Sequence, residues 1–137
     1  MQKLETGLVG CLRNFRLRNK PVGKWSRNNK MGVSACSDKV EPGVFIGPGG
    51  GSILAARKFR VGLDFDVTMQ IKPRNVSGIL LAIQGRRDYL ILQMIDGTLT
   101  FTVDNGRGPI TAIFKPQDSS FQFCDGQWHD IHGENQA

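Results

Sequence analysis

From about residue 44 onward, apolar and polar positions alternate with a period of two, in short runs separated by turn residues. "VFI" (44–46) and "SILAA" (52–56) flank the glycine cluster "GPGGG", and "DFDVTMQI" (64–71) sets Phe65, Val67, Met69 and Ile71 on one face. "GILLAI", "DYLILQMI", "TLTFTV" and "ITAIF" follow at intervals near ten residues. Short strands at regular spacing with turn signals between them predict an all-β antiparallel sandwich or barrel.

The clearest element is a hairpin over residues 88–103. Tyr89, Ile91, Gln93 and Ile95 alternate with Leu90, Leu92 and Met94, and Asp96-Gly97 is a two-residue hairpin signal. On the returning run Leu99, Phe101 and Val103 share one face, and Thr98, Thr100 and Thr102 share the other. One face is therefore expected to be apolar, and the opposite face of the returning strand polar and β-branched.

The first 36 residues read differently. "GLVGCLRNFRLRNKPVG" places Leu12, Asn14 and Arg16 against Arg13, Phe15 and Leu17, which predicts a strand running into a Lys-Pro turn. Cys11 and Cys36 then bracket a polar, basic loop. A disulfide closing that loop would contribute about 3 kcal/mol by loop entropy, and two free buried thiols are the alternative.

Length and charge narrow the picture. A chain of 137 residues has room for one domain of ordinary size. Residues 1–30 hold Lys3, Arg13, Arg16, Arg18, Lys20, Lys24, Arg27 and Lys30 against Glu5 alone, so the basic net charge of +6 is concentrated there and the remainder is near neutral. Such a segment is suited to a polyanion: nucleic acid, heparan sulfate or an acidic glycan. No run approaches the ~18 apolar residues of a membrane span, and no signal-like apolar segment follows Met1.

These runs, in this order, resemble the laminin G-like family. "GLVGCLRNFRLRNKPVG" with "GVSAC" is similar to the closing strands of such a module. "GVFIGPGGGSILA", "DFDVTMQIKPRNVSGILLAI", "DYLILQMIDGTLTFTV" and "CDGQWH" are similar to the first half of the next, nearest to the C-terminal G-like modules of a laminin alpha chain. The resemblance implies a jelly-roll β-sandwich in which residues 1–37 are the tail of one module, 38–43 a linker and 44–137 the truncated front of a second. After Trp128-His129 the family continues in apolar strands, whereas "WHDIHGENQA" turns polar. Missing strands would leave apolar faces wet or edges unpaired.

The resemblance also implies sites. It assigns Asp88, at the start of a strand, and the backbone carbonyl at Asn105 to a rim calcium site. They lie eight residues before and nine after the Asp96-Gly97 turn, hence side by side at the open end of the hairpin. Calcium takes six to eight oxygens, so this chain is expected to bind it weakly or not at all, and a strand-end carboxylate paired with Arg86 or Arg87 is the alternative. Family position further implies a Cys11–Cys36 disulfide, with Cys124 left over. Asn75-Val76-Ser77 satisfies the N-glycosylation rule.

The function implied is adhesion in the extracellular matrix of basement membranes. The implied partners are heparin or heparan sulfate, sulfated lipids, the glycans of dystroglycan and integrin-type receptors. Contacts are expected from Arg13, Arg16, Arg18, Lys20, Lys24, Arg27 and Lys30, with Arg86 and Arg87 beside the calcium position. A basic nucleic-acid-binding β-protein is the rival, weakened by the scarcity of aromatics for base stacking. Enzyme chemistry has one candidate set, Cys124, Asp125, His129, Asp130 and His132, as a nucleophile and base or as zinc ligands. On a strand, however, Cys124 and His129 would face opposite sides, so no enzyme is expected. "GPGGG" lacks the Gly-Lys-Ser/Thr ending of a phosphate loop and reads as a flexible hairpin loop.

Overall fold

The structure is a computed structural model that describes residues 6–22, 30–34, 43–54, 65–117 and 122–135. Twelve strands and no helix occur among them: β1 (Gly10–Leu17), β2 (Lys20–Pro21), β3 (Lys30–Met31), β4 (Val33–Ser34), β5 (Val44–Ile46), β6 (Ser52–Ile53), β7 (Phe65–Pro73), β8 (Gly78–Gln84), β9 (Tyr89–Ile95), β10 (Thr98–Asp104), β11 (Pro109–Phe114) and β12 (His129–Asn135). The class is all-β, as the alternation predicts. All named strand pairs are antiparallel.

Two sheets carry the fold. One runs β12-β7-β1-β5-β4, with β2 attached to β1, and the other is the meander β11-β10-β9-β8. A single core lies between them, with Val67, Met69, Ile71 and Leu12 from the first sheet and Leu90, Leu92, Met94, Leu99 and Val103 from the second. Phe65 stacks on Phe101 with ring centroids 6.0 Å apart. Val67 and Ile71 are fully buried, and each contributes about 1.5–3 kcal/mol of apolar transfer. β7 shows the cleanest alternation in the molecule, inward at Phe65, Val67, Met69, Ile71 and Pro73.

The basic N-terminal strand is a central strand of the first sheet. β1 lies between β7 and β5, pairing Leu12 with Ile71 on one side and with Val44 on the other. Just before it, Leu8 N donates to Ile79 O and Ile79 N donates to Thr6 O, so the chain borders β8 in the second sheet and then crosses to the first. This segment laces the two sheets together at one edge.

Two local expectations are corrected here. Strict alternation sets Leu12 against Phe15 and Leu17, yet all three pack on the core. A bulge between Arg13 and Arg16, with Asn14 at φ 52°, resets the phase; asparagine tolerates that left-handed geometry better than most residues. The turn after β1 is made by Arg18 and Asn19, both at positive φ, while Lys20 and Pro21 already belong to the returning strand β2. The twist of a two-residue hairpin favours positive φ at both turn positions, which proline cannot adopt.

Three further differences bear on packing. The runs flanking "GPGGG" do not pair with each other: β5 joins β1 and β4, and β6 pairs with β3. The polar face of the central hairpin is not solvent-facing at its middle, since Gln93 and Thr102 are buried and the Thr102 and Thr111 hydroxyls hydrogen-bond at 2.9 Å. Finally, "HDIHGEN" forms β12 and supplies Ile131 to the core. Gly133 of this strand lies against Val67 and Phe101, where an added Cβ would come 3.3 Å from Val67 Cγ1.

Candidate functional site

Topology gathers the sequence-predicted residues at one end of the sandwich. β7 leaves that end at Phe65 and β8 returns to it at Gln84, so the 85–88 loop sits on the same rim as the β1–β2 turn. A hydrogen bond from Arg18 N to Asp66 O ties the turn to the start of β7. The rim therefore carries Arg16, Arg18 and Lys20 from the first sheet and Arg86, Arg87 and Arg107 from the second, with Arg16, Arg18, Lys20, Arg86, Arg87 and Arg107 all exposed. Lys24, Arg27 and Cys36 lie outside the described residues, and Lys30 is described only as backbone in β3.

Asp88 and Asn105 lie at the same open end of the hairpin, as its arithmetic predicts. Asp104 pairs with Tyr89, so Asp88 and Asn105 are each one residue beyond the last pair. Both have the parity of the core-facing Leu90 and Val103. The 85–88 loop is closed by Gly85 N donating to Asp88 O at 2.8 Å. The Asp88 carboxylate packs directly over Gly85, in the space any side chain there would fill, so this loop needs glycine for the carboxylate to sit where it does.

Beside it, Asp104 Oδ1 accepts from Gly106 N at 2.8 Å and Gly108 N at 3.2 Å, shaping the β10–β11 loop. These oxygen donors fit calcium in kind. A half-buried carboxylate and neighbouring carbonyls supply only part of the six to eight oxygens the ion takes.

Arg13 separates from the other predicted basic residues. It lies on the outer face of the first sheet, its guanidinium carbon 3.9 Å from the Trp128 ring centroid and its Nε donating to Gln70 Oε1 at 2.8 Å. Gln70 Nε2 in turn donates to Asp130 Oδ1 at 2.7 Å. Arg13, Gln70 and Asp130 are register partners across β1, β7 and β12, so the row is a polar ladder over three strands. Lys72 Nζ lies 6.0 Å from the same indole, and Arg74 stacks on Phe45 at 4.8 Å. Sequence reading missed Lys72 and Arg74; their cation-after-β-run positions gave no signal without the register.

The enzyme-like set is dispersed. Cys124 lies in the turn before β12 rather than on a strand. His129 points inward, edge-on to Phe123 at 5.4 Å, and hydrogen-bonds Asp125 at 2.8 Å. His132 points outward to Asp66 at 2.7 Å. Burial, and secondarily the charge of Asp125, pushes the Cys124 thiol above its ordinary range, the opposite of what activates a nucleophile. Asp125 is held below the usual carboxylate range, first by the Gln127 N–H and then by His129.

Asn75 is exposed in the β7–β8 loop and accessible to modification. Its loop rests on the β9–β10 turn, through Gly97 N to Val76 O at 2.8 Å and Asp96 N to Ser77 Oγ at 2.9 Å. Cys11 is buried in β1. No helix among the described residues is long and apolar enough to cross a membrane.

Comparison with known proteins points to one family. The family model described as "Laminin G domain" matches residues 71–136. Human laminin subunit alpha-3 is 33% identical over 125 residues, 90% of this chain and 4% of that protein. Human laminin subunit alpha-1 is 28% identical over 90% of the chain and 4% of its own length, and the Drosophila melanogaster laminin subunit alpha is 28% identical over 89% and 3%. The chain thus spans only a few per cent of the length of these relatives. No solved structure matches it.

Proposed function

Residues 71–136 belong to the laminin G-like family, and from that premise we propose that this chain is an extracellular adhesion module that binds sulfated glycans through its cationic rim. The observation that carries the reading is the convergence of two basic clusters far apart in sequence, Arg16-Arg18-Lys20 and Arg86-Arg87, on one end of the sandwich. A polyanion gains by releasing counterions from several such contacts at once. Exposed arginines at loop tips meet sulfates without disturbing the core, and the guanidinium fork suits bidentate contacts.

Heparan sulfate, sulfated lipids and receptor glycans such as those of dystroglycan share this chemistry. Integrin-type receptors and a basement-membrane location follow from the family reading alone. Asp88 and the Asn105 carbonyl are the proposed calcium donors, and an ion there would add positive charge between Arg86-Arg87 and the glycan. The division into 1–37, 38–43 and 44–137 remains our reading of sequence relationship; β1 nevertheless supplies a strand to the same sheet as β5 and β7. We propose the Cys11–Cys36 disulfide and Asn75 glycosylation on the same family grounds.

Heparin chromatography tests the reading. Replacing Arg16 and Arg18 by Ser, or Arg86 and Arg87 by Ser, lowers the salt needed for elution, and the fourfold variant lowers it further. Elution unchanged in the fourfold variant rejects the rim as the glycan surface. Equal displacement by single-stranded DNA would favour the nucleic-acid rival, although Trp128 is already covered by Arg13 and flanked by Lys72.

A further inference from the structure

On the outer face of β7 and β12, in the sheet opposite the one that carries the Asp88 loop, three metal-ligating side chains converge. One ligand atom each from Asp66, His132 and Glu134 lies within 4.8 Å of the other two. His132 Nε2 and Asp66 Oδ2 are 2.7 Å apart. We propose that Asp66, His132 and Glu134 bind a divalent transition-metal ion, zinc foremost, as a clasp between β7 and the edge strand β12.

Register fixes the geometry. Glu134 is the direct partner of Asp66, and His132 is the partner of Thr68, two residues along on the same face. Directly opposed and diagonal positions on one sheet face are the pairs whose side chains meet. Like charges directly opposite each other on a sheet face disfavour pairing, and a cation held between the two carboxylates would offset that cost. Ligand atoms on a tetrahedral zinc, with bonds of about 2.0–2.1 Å, stand about 3.3 Å apart, a span this cluster reaches by small rotamer changes of exposed side chains. One imidazole with two carboxylates leaves a fourth position for water and selects zinc or a neighbouring transition metal over calcium, which takes oxygen alone. The site is thus distinct from Asp88 in ligand chemistry as well as in place.

The test is a titration of the full 137-residue chain with zinc chloride by calorimetry, repeated with cobalt(II) followed by absorption. The expected result is one site per chain, with a cobalt spectrum lacking a thiolate charge-transfer band. His132→Ala, Asp66→Asn and Glu134→Gln each weaken binding by at least about tenfold, the lower end of what even outer-shell changes cost. Asp130→Asn and Cys124→Ser leave the titration unchanged. All five positions lie outside the core cluster, and circular dichroism checks that each variant keeps its fold. Zinc also slows hydrogen exchange of the β12 amides. Absence of binding, binding that survives His132→Ala, a thiolate band, or protection confined to other strands would each overturn the proposal.

Discussion

Arg13 lies over the indole of Trp128, 3.9 Å from ring centroid to guanidinium carbon, while its Nε holds Gln70. The side chain thereby straps β1 to β12 across β7. A half-buried cation–π contact contributes about 0.5–2 kcal/mol. Arg13→Ser therefore lowers stability by about 1–2 kcal/mol through the lost stack and hydrogen bond, read as a lower urea midpoint. Arg16→Ser, whose side chain donates to Asn19 O at 3.4 Å, lowers the heparin elution salt with little change in that midpoint. The opposite ranking would mean that Arg13 is a glycan contact and not a strap.

Asp88→Ala reports on calcium. In this chain one carboxylate and its neighbouring carbonyls compete poorly with hydration, so calorimetry finds no sub-millimolar calcium binding before or after the substitution. In a longer laminin-type chain that supplies further oxygens, the same substitution abolishes tight binding. Sub-millimolar binding by the present chain would mean that the rim loops alone complete the site.

The rim was unequally legible in the sequence. The family resemblance singled out Asp88 and Asn105, and arithmetic set them side by side, because an Asp-Gly turn fixes the register of everything on both arms of its hairpin. Convergence of Arg16 and Arg18 with Arg86 and Arg87 was not, since it depends on which sheet each strand joins. Alternation marked β7 to β11 correctly and failed in β1, where one asparagine at positive φ shifts the phase. The Asp66, His132 and Glu134 cluster was invisible for the same reason: 66 residues separate its first two members, and only the pairing of β7 with β12 unites them.

Acid should loosen the turn before β12. The folded-state pKa of Asp125 lies below its ordinary value of 3.8, held there first by Gln127 N–H and then by His129. A depressed carboxylate adds stability that is complete above the unfolded value and is lost as pH falls through the folded one. The stability gap between the native chain and Asp125→Asn therefore closes progressively as pH falls below 3.8. A gap that widens on acidification would contradict the assignment.

Cys124 should be a sluggish thiol. Its pKa is raised above 9.0 by burial and then by Asp125, and only the thiolate is reactive. Alkylation by iodoacetamide at pH 7.4 proceeds more slowly than for glutathione, and Asp125→Asn accelerates it without reaching the free-thiol rate. Reaction as fast as glutathione would show that the turn is open.

Gly133→Val should disturb the interface between the sheets. The new branch enters space bounded by Val67 Cγ1 and the Phe101 ring, and overpacking of that kind costs about 1–3 kcal/mol. A denaturation midpoint within error of the parent would show that β12 can lift away from Phe101 at no cost.

The central position of β1 sets a tempo for folding. The meander β8 to β11 is built from neighbours in sequence and closes through turns of a few residues. β1 finds its partner β7 fifty or more residues downstream, and β7 finds β12 somewhat farther beyond. Local pairings form quickly and distant ones wait on loop closure. The chain should therefore assemble in two beats: an early curved meander with one greasy face, then a slower capture of the N-terminal strand that completes the opposite sheet. During that interval Leu90, Leu92, Leu99 and Val103 stand uncovered, which makes the lag before β1 docks the period of greatest risk of aggregation.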